Sequence, residues 1–300
     1  MQETELINII QKSIGSEYIG DDCAYLKELG IVVTQDSLIE NIHFRREWYT
    51  PFQLGYKAVT VNISDILASG AKPEYLTIAL SLPNNISGDF VQAFYDGAKS
   101  ALCGAKIVGG DLTGSKNDII ISITAIGATK ARNISSRKNA KVGYDVVTHG
   151  YYGSSAYGLQ ALLNNNFNSE LIKSHIEPQL YPEFSSTIST KIIEPYAMMD
   201  TSDGLCDALF KIAEASDIKI QIDYDMIPHM PEVNKHQVLF GGEDYNLVAV
   251  IPSKYSTLIP SAVLIGKAVN FDGTRVEISG EKYNNYNQLR VFNHFGENNE

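Results

Sequence analysis

Along the first half of the chain the apolar positions change period repeatedly, from strand-like runs to helical stripes and back. Residues 31–35, "IVVTQ", form a short buried-strand pattern, whereas residues 52–69, "FQLGYKAVTVNISDILAS", place Leu54, Ala58, Val61 and Ile66 at helical spacing. The same helix would carry Asn62 and Asp65, three residues apart, on one face. A strand over 75–82, a helix from about 88 to 103, a short strand running into "KIVGGD" and a strand over 118–129 follow. Such alternation predicts an α/β chain with helices packed on sheets.

Residues 130–143, "KARNISSRKNAKVG", are polar, basic and poor in apolar residues, which marks a boundary between a first unit, 1–135, and a second, 136–300. The second unit opens with the strand "YDVVTHG" and a Gly/Ser-rich turn into the helix "YYGSSAYGLQALL". Helices near 183–193 and 204–216 and strands near 197–200, 218–223 and 246–251 complete the pattern. The N-terminus reads as an amphipathic helix of mixed charge, without the basic start and apolar core of a signal peptide. The tail from about residue 270 is polar and Asn-rich, yet "RVFNHF" is too aromatic for a simple disordered segment.

At 300 residues and 44% hydrophobic, the chain has the length and composition of a soluble globular protein with a substantial core. A formal charge of -11 argues against nonspecific nucleic-acid binding, which needs clustered Lys and Arg. It leaves room for phosphate-bearing small molecules, because bound divalent cations invert the local field. No window reaches the roughly 18 apolar residues of a membrane span. Cys23, Cys103 and Cys206 are far apart and lack CxxC spacing, so each is expected to be a small buried residue in a reducing cytoplasm.

The candidate chemistry lies in carboxylates beside small residues. "IGDDCAYL" (Asp21, Asp22), "TQDS" (Asp36), "NISD" (Asp65), "VGGDLTG" (Asp111), "MMDTSDGL" (Asp200, Asp203) and "FGGEDYNL" (Glu243, Asp244) repeat that theme. Taken singly, Asp200 to Asp203 would merely cap the helix starting near Gly204. Carboxylates gathered together repel unless cations neutralise them, and hard oxygen donors of this kind suit Mg²⁺, which shares a few carboxylates with waters and substrate phosphates. No GxxxxGK[ST], GxGxxG or HRD and DFG pattern is present, so a nucleotide would have to be held by metal-bridged aspartates instead.

In order and wording these segments, with "LGYKAVTVNISDILASGAKPEYLTIALSLP" between them, resemble the motifs of the thiamine-monophosphate kinase family, in the superfamily shared with aminoimidazole ribonucleotide synthetase. The resemblance runs from about residue 18 to the C-terminus. It implies ATP-dependent phosphorylation of thiamine monophosphate to thiamine diphosphate by direct transfer, with several Mg²⁺ ions and ATP as co-substrate. It also implies a two-domain α/β fold of α+β type: an N-terminal mixed sheet forming a barrel in a homodimer, a C-terminal α/β sandwich, and an active site in the cleft between domains. Carried over by motif, Asp22, Thr34, Gln35, Asp36, Asp65, Asp111, Asp200 and Asp203 would hold metal. Tyr95, Gly110, Asp111, Arg137 and Ser202 would contact ATP, and His43, Glu243 and Phe292 the thiamine moiety. No dedicated base is implied, since the acceptor phosphate is already ionised.

This sequence departs from the family's wording at Gln35, where a hydroxyl residue is usual, at Leu112 in "GGDLT", and at His149 and Tyr151 in the Gly/Ser turn. Selenophosphate synthetase, whose reactive Cys or selenocysteine precedes the first aspartate motif, fits less well, because Cys23 follows it. The hydrogenase-maturation relative ends in a functional cysteine, whereas this chain ends "GENNE". A noncatalytic nucleotide-binding module would be marked by lost acidic positions, and the acids are retained.

Overall fold

In the computed structural model, which describes residues 3–291, the first half contains α1 (Glu3–Ile14), β1 (Ala24–Leu26), β2 (Ile31–Ile39), α2 (Pro51–Ala68), β3 (Lys72–Leu82), α3 (Gly88–Ser100), β4 (Lys106–Gly114) and β5 (Ile120–Ala128). Its sheet runs β1-β2-β5-β3-β4, with β3 and β4 parallel and the other neighbours antiparallel. The second half contains β6 (Asp145–Thr148), α4 (Ser154–Leu163), α5 (Ile172–Ile176), α6 (Pro182–Lys191), β7 (Ala197–Asp200), α7 (Leu205–Ala215), β8 (Lys219–Ile222), α8 (Lys235–Phe240), β9 (Leu247–Ile251), β10 (Val263–Val269), β11 (Val276–Ile278) and β12 (Glu281–Tyr283). These strands form a second sheet in the order β12-β11-β8-β10-β6-β9-β7, parallel only between β8 and β11.

The alternation read from the sequence thus builds two mixed sheets, mainly antiparallel. The two sheets separate at the polar stretch between β5 and β6. Strands β10 to β12 and helix α8 were not anticipated; β11 buries Val276 and Ile278 inside a stretch whose overall polarity hid them.

Helix α2 holds the two halves together. Thr50 caps it through a reciprocal pair with Gln53, and Pro51 starts it with φ already set. The expected single apolar stripe proves too narrow a description. Leu54, Ala58, Val61 and Ile66 are buried, but so are Lys57, Thr60, Asn62 and Ser64. A helix buried on nearly all sides must be covered by more than one layer. One face meets β2 and β5, and another meets β7 of the second sheet. The period-2 alternation of that sheet follows: Val147, Met198, Leu247 and Ala249 join the core shared with α2, whereas Val146, Met199, Val248 and Val250 join the core under α7.

Cys23 and Cys206 are buried as expected, but Cys103 is exposed. It sits in the turn after α3 with φ of 47°, where the chain reverses at the surface and offers no core for the thiol. Among the described residues no helix is long and apolar enough to cross a membrane.

Helices α2 and α3 approach through glycines on each. A Cβ at Gly55 would lie 1.9 Å from the Phe94 carbonyl oxygen, and one at Gly97 would lie 1.8 Å from that of Phe52. Backbone cannot yield as a flexible side chain can, so Gly55→Ala must push the helices apart. The expected outcome is a loss of about 1–3 kcal/mol of stability, the usual cost of overpacking, read from urea unfolding against the unmodified chain.

Candidate active site

The pleat of β2 puts Thr34 and Asp36 on the face toward α2 and Gln35 on the other. The Thr34 hydroxyl donates to Asp65 Oδ2 at 2.6 Å, and the Asp36 backbone N–H donates to Asn62 Oδ1 at 3.0 Å. Asn62 is itself fixed by donating to the Ala58 carbonyl at 3.0 Å. Ser64 points the other way from α2, toward β7, and donates to Asp200 Oδ2 at 2.6 Å. Ser202 completes that carboxylate's shell, its hydroxyl donating to Oδ1 at 3.0 Å. One helix therefore orients acids from both halves.

Asp21 and Asp22, adjacent in sequence, do different work. Asp21 is exposed and accepts the Ser136 hydroxyl and the Arg137 backbone N–H, both at 2.7 Å, which clasps the segment joining the two sheets. Asp22 turns inward and pairs with Arg137 Nη2 at 2.6 Å. The same arginine thus touches both aspartates, one through its backbone and one through its guanidinium.

Burial and mutual repulsion shape the electrostatics of this cluster. Burial raises the Asp22 carboxyl despite the attraction of Arg137. Burial and the negative charges of Asp203 and Asp22 push Asp36 up to about 6. Asp65 is raised well above the carboxylate range by burial and then by Asp36, Asp200 and Asp22. Asp200 is pushed up to about 7, again by burial first and by Asp22 next. Among the described residues, no three acidic, His or Cys side chains form a ready-made metal cage. Mg²⁺ ordinarily keeps waters and takes substrate oxygens in place of a closed protein shell. An all-oxygen donor set whose members repel one another in the absence of a cation fits such an ion.

Some expected positions stand apart from this cluster. The Gln35 amide is turned to the opposite face, accepting from Thr124 at 3.0 Å and donating to Ser122 at 3.3 Å. Its side chain is therefore not directed at the acids, a correction imposed by strand alternation; only its backbone oxygen remains. Gly110 and Asp111 lie on exposed β4, at the outer edge of the first sheet. Asp111 is in register with Ala79, Ser122 and Ser37 across the sheet, so three strand spacings, roughly 14 Å, separate it from β2. Leu112 is 67% exposed on the same edge. Tyr95 lies on α3, edge-on to Phe94. Asp203 pairs with Lys211 at 3.1 Å, and Lys211 also reaches Asp207 at 2.7 Å.

A second polar cluster surrounds Glu243. Its Oε1 lies 3.2 Å from Lys57 Nζ and its Oε2 3.1 Å from His175 Nδ1. Burial alone would raise this carboxyl, but Lys57, His175 and His43 together hold it below its ordinary value. His43 accepts the Ile39 backbone N–H on Nδ1 at 3.0 Å. Phe292 lies outside the described residues. The sequence signal for Lys57 was a lysine inside the apolar run "GYKAVTV"; His175 carried none.

The Gly/Ser turn before α4 is already filled. Asp244 accepts the backbone N–H groups of Gly153 at 2.6 Å and Ser155 at 2.9 Å, occupying the place an anion would take. His149 packs its ring 4.0 Å from that of Tyr181, and Tyr151 is exposed.

Residues 20–129 match the family described as AIR synthase related protein, N-terminal domain. The chain is 33% identical to the thiamine-monophosphate kinase of Aquifex aeolicus (strain VF5) over 94% of its length and 97% of the relative's. It is 34% identical to that of Bacillus subtilis (strain 168), covering 79% of this chain and 78% of the relative. A solved structure described as AaThiL complexed with AMPPCP and TMP superimposes with a TM-score of 0.88 at 31% identity, over 98% of this chain and 97% of that one. The HypE–HypF complex, at 20% identity and a TM-score of 0.78, shares the fold.

Protons would compete with any cation for the acid cluster. Since Asp36 is pushed up to about 6 and Asp200 to about 7, lowering the pH protonates them and raising it ionises them, the form a cation would take. Excess Mg²⁺ is expected to raise the unfolding temperature at pH 8 by several degrees and by much less at pH 6, as scanning calorimetry at the two pH values would show.

Proposed function

The chain belongs to the thiamine-monophosphate kinase family and phosphorylates thiamine monophosphate with ATP, and we propose that the transfer is direct, assisted by Mg²⁺ at Asp22, Asp36, Asp65 and Asp200. The observation that carries this reading is the convergence of these buried acids, all raised by burial, with Asp36, Asp65 and Asp200 raised further by the charge of acids beside them. When bound, Mg²⁺ would neutralise phosphate charge on both substrates and align them for in-line transfer.

The protein's own part is positioning. Thr34 and Ser64 each fix one oxygen of an acid, Asp65 and Asp200 respectively, and leave the remaining lone pairs available. Thr34, the Gln35 backbone and Asp203 supply further oxygens to the metal ions. The acceptor oxygen of thiamine monophosphate is ionised near neutral pH, so orientation and charge neutralisation replace a general base. Arg137, held at the junction by Asp21, and Ser202, bonded to Asp200, would meet ATP. His43 and Glu243 receive the thiamine moiety, with Phe292 as a third contact.

Tyr95, Gly110 and Asp111 enter this reading through assembly. Strand β4 presents an unpaired edge with exposed Val108 and Leu112, and such an edge is ordinarily covered. A homodimer whose N-terminal sheets close into a barrel would cover it and bring the β4 motif toward a site. Residues 1–135 then form the metal, ATP and dimerisation domain, and residues 136–300 an α/β sandwich that completes the cleft. An acidic chain with unpaired cysteines suits the cytoplasm.

Purified protein with ATP is expected to form thiamine diphosphate from the monophosphate, and only with Mg²⁺; turnover equal to an enzyme-free control would leave a noncatalytic nucleotide-binding module. Asp65→Asn, nearly isosteric but uncharged, should lower turnover at least ~100-fold, on the scale of losing one aimed electrostatic contact in a buried site. Sedimentation at micromolar concentration should give a species of twice the chain mass, and a monomer alone would remove the barrel.

A further inference from the structure

Lys57 lies in the body of α2 with its side chain fully buried. A buried ammonium must be paired, and the partners of Lys57 lie outside the helix. Its Nζ donates to the Tyr49 hydroxyl at 3.0 Å and pairs with Glu243 Oε1 at 3.2 Å. His175, also buried, holds the other carboxylate oxygen. Glu243 is the member of this group that reaches outward, its side chain 25% exposed against 0% for Lys57 and 2% for His175.

The backbone at Glu243 is equally constrained. Its φ is 64°, a left-handed conformation uncommon for a residue with a side chain, and its N–H donates to the Ser202 carbonyl at 2.7 Å. A Cβ on the preceding Gly242 would lie 2.5 Å from that same carbonyl, so the loop closes tightly on the segment bearing Asp200 and Ser202. Main chain and carboxylate are therefore both fixed. The main chain is held by the Ser202 segment, and the charged anchor of the carboxylate is Lys57 on α2, the helix that also carries Asp65.

We infer that Lys57 is a positioning residue for recognition of thiamine monophosphate: from behind Glu243 it clamps the carboxylate so that the outward oxygens accept from the amino group of the substrate's pyrimidine. This rests on the proposed role of Glu243 as a thiamine contact. Lys57 itself is too deeply buried to touch the substrate. His175 is kept neutral by burial and by Lys57, its pKa pushed down to about 3, so the clamp's buried cation is the lysine. Without it, burial would favour the protonated acid, which turns an acceptor into a donor at the position meeting the amine.

Steady-state kinetics of the full chain, with each substrate varied in turn, separates positioning from mere support of the fold. Lys57→Met is expected to raise KM for thiamine monophosphate at least ~10-fold, the scale of one hydrogen bond to a charged group, with KM for ATP within about threefold of the unmodified chain. Glu243→Gln should raise the same KM, and adding Lys57→Met to it should raise it no further, because the lysine acts through the glutamate. Should Lys57→Met fail to fold, Lys57→Gln, which keeps a donor to Tyr49 without the charge, is read in the same way. An unchanged KM for thiamine monophosphate in the Lys57 variant, an equal rise in both backgrounds, or a parallel rise for both substrates overturns the positioning role. Glu243→Gln with unaltered KM overturns the thiamine contact itself, and the inference about Lys57 with it.

Discussion

Like charges buried together destabilise a protein unless something shares them, and the arrangement of this chain follows from that constraint. Asp22, Asp36, Asp65 and Asp200 are each shifted upward by burial, and the last three also by the charge of neighbouring acids, Asp22 among them. Among the described residues, only Arg137 forms an ion pair with one of them, at Asp22. The hydroxyls of Thr34, Ser64 and Ser202 orient carboxylate oxygens without cancelling charge. The surrounding fold is thus arranged to hold the acids in place while leaving their charge for a cation and phosphates to satisfy.

Holding them requires a rigid element, and α2 is the one that carries Asp65 and bonds to Asp36 and Asp200. It lies between the two sheets, so residues on different sides of one helix reach different halves of the chain. Asn62 and Asp65 address β2, Ser64 addresses β7, and Lys57 addresses the loop carrying Glu243. The glycine contacts with α3 fix the helix from a further side. A displacement of α2 would disturb the acid cluster and Glu243 together, which couples the two polar clusters to one helix.

The adjacent aspartates of "IGDDCAYL" illustrate how a small sequence separation divides labour. Asp21 stays at the surface and binds the backbone of the inter-sheet segment, whereas Asp22 enters the cluster and meets the side chain of the same arginine. Each acid holds a different part of Arg137, whose carbonyl also accepts from the Ser216 hydroxyl. Together they set both where the segment crosses and where its guanidinium points.

Local pattern was enough to place β2, α2, β3, α3 and α7, because each buries residues at a period its own sequence displays. The recurring acids beside Gly, Ser and Thr were equally legible, as was the shared face of Asn62 and Asp65. Other features depended on neighbours distant in the chain. The sequence of α2 shows one apolar stripe, but burial of Lys57, Thr60 and Ser64 requires a second sheet that no local pattern announces. Gln35 reads as a metal position by motif, yet the pleat turns its amide to Ser122 and Thr124. That Asp244, far along the chain, fills the Gly/Ser turn is likewise not visible in the turn's own sequence. What the sequence by itself determined was the kind of chemistry: acidic oxygen donors in tight turns, without a nucleophile. What only the tertiary structure decided was which acids share a buried volume and which buried cation stands behind Glu243, because charge repulsion and pairing depend on distances through space.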